Sequence, residues 1–94
     1  MASAIYIASG ITAATGADFP LDAGSSRLFY CKPALGSHEF LALDIKNADG
    51  TYTQVGTLAS SGSQTGTVTA TGAGTSTFRV RRSTVSPAKV VYFD

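Results

Sequence analysis

His38, Cys31, Glu39 and Asp44 are the side chains of this 94-residue chain best suited to bond-making chemistry. A nucleophile–histidine relay needs a third group to orient the imidazole. Ser37, His38 and Glu39 are sequence neighbours, so on an extended strand they point to alternating faces and form no relay. His38 therefore reads as a turn-edge residue. One His and one Cys do not supply the four ligands of a zinc site. Glu39 and Asp44 read as a solvated rim, not as a paired acid and base. Nothing adjacent to Cys31 would lower its pKa, and it reads as a small buried hydrophobe.

Two glycine-containing motifs touch ligand chemistry and fail on alignment. Asn47-Ala48-Asp49-Gly50 overlaps a calcium loop, but the first ligand position falls on Ile45 and the closing one on Gly56. Gly72-Ala73-Gly74 opens like a phosphate-binding fingerprint, yet it precedes a strand pattern, and Thr77 stands at the third glycine. No metal, cofactor or catalytic constellation is expected, and the chain is not expected to be an enzyme. Arg79, Arg81 and Arg82 are the one charge cluster. On a strand, Arg79 and Arg81 share a face, with Arg82 on the other or in the following loop. Such forks either blunt an edge strand or meet the carboxylates of a protein partner.

The elements that must position these groups are strands. Ser and Thr number 23 and Gly 10, and both types disfavour helix interiors. Ile5–Ile7 with Ile11 reads as a first short strand or an extended arm. Residues 15–22 read as a loop with Phe19 and Leu21 as plugs. Arg27–Lys32 must stop at Pro33, which brings no ladder donor. Residues 39–46 alternate, with Leu41, Leu43 and Ile45 on one face. The Asn47–Gly50 turn, with Asp-Gly at its tip, joins them to residues 51–58 as a hairpin. Residues 67–71, 77–82 and 89–93 supply the remaining strands, Phe78 and Val80 facing inward. Strands at spacings of roughly 8–12 residues predict an all-β antiparallel sandwich, jelly-roll-like, of six to eight short strands. Residues 1–24 are expected as an N-terminal arm, or first strand plus loop, and residues 25–94 as the sandwich, in a single domain.

Charged residues make up only 14%, and the net charge is +1. That balance argues against nucleic acid, whose capture by counterion release needs dense Lys and Arg. No stretch approaches the ~20 apolar residues of a membrane span, and the N-terminus lacks a signal-peptide pattern. A single Cys excludes an intrachain disulfide. Synthesis in a reducing cytoplasm is the expectation. A surface this poor in charge suits a protein packed against neighbours.

Asp49-Gly50-Thr51-Tyr52-Thr53-Gln54-Val55, followed by Thr57-Leu58-Ala59-Ser60-Ser61-Gly62, resembles the small β-sandwich proteins of tailed-bacteriophage virions. Their pattern is a D-G-x-[WY]-x-x-V hairpin, a T-L-x-x-S-G strand end and a late T-x-[FY]-R-V-R-R strand. Thr75–Arg82 carries the last of these, and Val90-Val91-Tyr92-Phe93 closes the domain. The resemblance covers Leu43–Asp94, about half the chain, with Tyr52 where Trp is frequent. It implies a virion structural role, with capsid decoration (cement) proteins nearest in size. The implied partners are the major capsid protein or other virion proteins, and further copies of the chain, most simply as a trimer. The expected location is the capsid surface. Ile5, Tyr6, Ile7 and Phe19 are candidates for one contact surface, and Arg79, Arg81 and Arg82 for another. A neck, tail or fibre-attachment component is the alternative within the virion. Outside it stands a carbohydrate-binding module using Tyr30, Tyr52 or Tyr92 as stacking platforms.

Overall fold

A computed structural model describes residues 4–94. Among them nine strands and no helix form two antiparallel sheets packed as a sandwich. The strands are β1 (Ala4–Gly10), β2 (Ala14–Thr15), β3 (Phe19–Asp22), β4 (Ser26–Lys32), β5 (Phe40–Lys46), β6 (Tyr52–Ser60), β7 (Thr65–Thr69), β8 (Thr75–Arg82) and β9 (Lys89–Phe93). The first sheet runs β1-β9-β4-β7 and the second β2-β8-β5-β6, with β3 also paired to β8.

Alternation along each strand explains the layering, because successive side chains leave a strand on opposite faces. Phe29 and Cys31 of β4, Val91 of β9 and Val68 of β7 face Leu41 of β5 and Phe78 and Val80 of β8 across the sandwich. Phe29, Leu41, Val80 and Val91 are fully buried. Aromatic rings fill the middle: Phe29 stacks on Phe93 at 5.9 Å, and Tyr6 meets Phe29 edge-on at 5.1 Å. Burying each such side chain stabilises the fold by roughly 1.5–3 kcal/mol.

The β5–β6 hairpin closes as its sequence requires. Gly50 takes φ 88°, the left-handed region where a glycine carries no steric cost. Asp49 Oδ1 accepts hydrogen bonds from the Thr51 amide and hydroxyl. The Thr51 carbonyl accepts from the Asn47 amide. The Asp49 carboxylate is thus engaged in holding the turn.

Residues 4–22 do not extend beyond the sandwich as an arm. β1 pairs with β9, while β2 and β3 both pair with β8, so this stretch contributes strands to both sheets. Residues 1–3 of the expected arm lie outside the described residues. The regular alternation that marks a strand is broken here by register shifts in β1 on either side of Ile7 and by the gap between β2 and β3. That gap is filled by one side chain. The Tyr6 hydroxyl crosses from the first sheet, accepts the Val80 amide at 3.0 Å and donates to the Ala17 carbonyl. A Cβ on Gly16 would overlap the Tyr6 ring, so glycine is required there.

Candidate interaction surface

The two outer faces of the sandwich differ in chemistry. On the first sheet, the residues that alternate with the buried Phe29, Cys31 and Val91 are Leu28, Tyr30, Val90 and Tyr92. Tyr30 and Tyr92 are register partners, and Tyr92 is also opposite Ile5, which is 62% exposed. Thr65 of β7 continues the row beyond Tyr30. The two tyrosine rings stack on each other at 5.4 Å with 19° between planes. The row Ile5–Tyr92–Tyr30–Thr65 carries no formal charge. Lys32, whose ammonium lies 5.8 Å from the Tyr30 ring centre, and Asp94 stand at opposite ends of the face. Solvent-facing sides of antiparallel sheets ordinarily alternate to polar residues; here β7 does so with Thr65, Thr67 and Thr69, whereas the middle of the face, on β4 and β9, is aromatic and aliphatic.

The second sheet presents an ionic ladder. Asp44 is only 2% exposed although it points outward, because Arg79 and Arg81 lie over it. Arg81 binds it with a fork, Nε to Oδ2 at 2.7 Å and NH2 to Oδ1 at 3.0 Å, and Arg79 Nε reaches Oδ2 at 2.8 Å. Burial pushes the Asp44 carboxyl up, but the hydrogen bonds from Arg81 and Arg79 outweigh it and hold the pKa below the usual value. The Arg79 guanidinium stacks 3.5 Å over the Tyr52 ring. Tyr52 donates its hydroxyl to Asp18, which also pairs with Lys46 at 3.5 Å. Arg81 further donates to Gln54. The Arg81 fork is therefore occupied within the chain, and Arg79 is held by its Nε bond to Asp44 and its stack on Tyr52.

Arg82 takes a different course. It falls on the inward side of β8 with Phe78 and Val80, is 3% exposed, and donates to the carbonyls of Ala8, Thr12 and Lys89. It pins β1, the following loop and β9 together from inside. Lys89, 2% exposed, points to Glu39 at 3.1 Å and to the carbonyls of Ser86 and Pro87. Glu39 also accepts the amides of Gly36 and Ser86, which bring its pKa down to about 2.

The residues singled out from the sequence are accordingly dispersed. Ile5 lies exposed on the outer face of the first sheet; Ile7 and Phe19 are in the core. Tyr6 spans the two sheets, Arg79 and Arg81 lie on the outer face of the second, and Arg82 is internal. Glu39 and Asp44 do not form a solvated rim: each is bound by cations, at different places. His38 sits exposed on a turn with φ 64°, and burial raises the Cys31 thiol to about 11. No hydrogen bond joins any two of His38, Cys31, Glu39 and Asp44 among the described residues. Sequence reasoning named Tyr30 and Tyr92 as candidate stacking residues but not that they pair with each other and with Ile5 in one row, although each lies beside an inward Phe. The row's signal is that Phe29 and Phe93 point inward, which sends both tyrosines outward.

No protein-family model matches the chain, and neither do any curated protein or solved structure. What fold and surface define is a two-sheet antiparallel β-sandwich domain with one charge-poor outer face.

Proposed function

We propose that this chain is a non-enzymatic structural protein of a tailed-phage virion, a capsid decoration (cement) protein that bridges capsid subunits and so stabilises the head. One observation carries the reading: the row Ile5–Tyr92–Tyr30–Thr65 lies on the outer face of the first sheet, exposed at both ends and half-buried at the two tyrosines, without charge. Interface cores are depleted in charge and enriched in aromatic residues. Binding there adds contact area on the shell, and no side chain is asked to perform a reaction. The resemblance of Leu43–Asp94 to virion sandwich proteins supplies the setting. The outer face of the first sheet meets the capsid subunits, and the arginine ladder on the opposite face orders the sandwich that presents it.

A glycan-binding role is less well supported by the same geometry. One face of the Tyr52 ring is covered by Arg79, and Tyr30 and Tyr92 cover one another. Immunogold labelling of purified virions with antibody against this chain tests the proposal. Label distributed over the head is expected. Label confined to the neck or tail points to the alternative virion role, and particles without label refute both.

A further inference from the structure

A two-sheet sandwich leaves four edges, and unguarded edges invite pairing with another chain. Three are guarded here. β1 has register shifts on either side of Ile7. The edge made by β2 and β3 is split and carries Pro20. β6 bulges twice against β5, at Leu58 and at Val55. β7 has none of these devices. Its five residues pair with β4 in unbroken register, and its sequence Thr65-Gly66-Thr67-Val68-Thr69 contains no proline and no charge.

The same side of the molecule holds an open apolar cleft of about 410 Å³ between β6 and the end of β7. Leu43, Ile45 and Phe78 form its floor, and Val55, 52% exposed, stands at its rim. Thr69, Thr71, Gly72 and Ser76 complete the lining, and no lining residue is charged.

We propose that β7 pairs antiparallel with β7 of a second copy of this chain, about a two-fold axis at Thr67. The segment reads almost the same in both directions. Thr65 then faces Thr69 of the second copy, Thr67 faces Thr67, and Gly66 faces Val68, a small residue against a large one. Threonine pairs across antiparallel strands are favourable, and a self-complementary patch is what a two-fold contact requires. The pairing joins the two first sheets into one of eight strands and brings the second copy over the cleft and Val55. Nine residues of β6 at ~3.3 Å each make this side about 30 Å long. The thinnest dimension of the molecule is 22 Å. The paired segment itself is the five residues of β7, about 17 Å long, so the rest of a side with this outline is left for the second copy to lie over the cleft. A second copy is the occupant with matching chemistry, since both the edge and the cleft are uncharged. The contact meets the Ile5–Tyr92–Tyr30–Thr65 row only at Thr65, where that row ends on β7, and it does not depend on what the rest of that row binds.

The test is native mass together with cross-linking of the full chain. Wild type is expected at the mass of two chains. Thr67→Cys is expected to be joined to a second chain by a short bifunctional thiol reagent, because directly opposed Cβ atoms lie ~4.5–5.5 Å apart, a little beyond the ~3.5–4.5 Å of an unstrained disulfide. Cys31, buried in the core, does not compete. Thr15→Cys, on the far edge, is expected to remain unlinked. The triple variant Thr65→Lys/Thr67→Lys/Thr69→Lys changes only exposed side chains, so it is expected to fold with an unchanged circular dichroism spectrum and to weigh one chain. Three results overturn the proposal: a monomeric or trimeric wild type, a Thr67→Cys protein that does not cross-link, or a folded triple variant that stays dimeric.

Discussion

The hydroxyl of Tyr6 and the backbone amide of Val80 form a 3.0 Å hydrogen bond between the two sheets. Val80 lies in β8 where β2 has ended and β3 has not begun, so no neighbouring strand receives its amide. Tyr6 supplies that acceptor while its ring packs on Phe19, Phe29 and Phe93. Burial raises the phenol pKa, keeping the hydroxyl protonated and able to donate onward to Ala17.

Tyr6→Phe keeps the ring and orphans the Val80 amide. An unsatisfied buried donor costs about 1–3 kcal/mol. Urea unfolding is expected to show a loss in that range with an unchanged m-value. A loss below about 0.5 kcal/mol would mean that water reaches the amide.

The three arginines of β8 separate by burial. Arg82→Ala strips the carbonyls of Ala8, Thr12 and Lys89 of their donor, and the expected loss is about 3 kcal/mol or more. Arg81→Ala leaves Asp44 its bond to Arg79 and is expected to cost about 1 kcal/mol. Equal losses in paired urea titrations would contradict the internal placement of Arg82.

Acid sensitivity centres on Glu39. Two backbone amides and Lys89 favour its ionised form, so its pKa in the fold, about 2, is below the ordinary value of 4.5. The stability it adds is complete above the ordinary value and drains as pH falls towards 2. Thermal midpoints measured from pH 6 to pH 2 are expected to fall more steeply in wild type than in Glu39→Gln. Parallel curves would remove Glu39 as the acid-labile tie.

Removing residues 1–19 takes away β1, β2 and the Tyr6 bridge. The truncated chain is expected to lose its cooperative thermal transition. A truncated chain that retained a native-like transition would return this stretch to the status of a detachable arm.

Much of this architecture was legible from the residues. The Asn47–Gly50 turn, the inward Phe78 and Val80, and the stop before Pro33 follow from turn chemistry and alternation. In the first 24 residues a short strand at Ile5–Ile7 and the inward Phe19 and Leu21 were legible, but β2 and β3 were not, because β2 is two residues long and β3 lies in a stretch that reads as loop. Arg82 misled for another reason. Alternation from Val80 places it inward, but a charge is expected inside only where acceptors are known, and its acceptors are backbone carbonyls from distant strands. Asp44 likewise gives no local hint of Arg79 and Arg81, 35 and 37 residues away.

The surface claim is tested most directly by co-sedimentation of the purified protein with capsid shells stripped of it. Wild type is expected to pellet with the shells, and the double variant Tyr30→Glu/Tyr92→Glu, folded by circular dichroism, to stay in the supernatant. A wild type that fails to bind shells, or a double variant that binds as wild type does, contradicts the account.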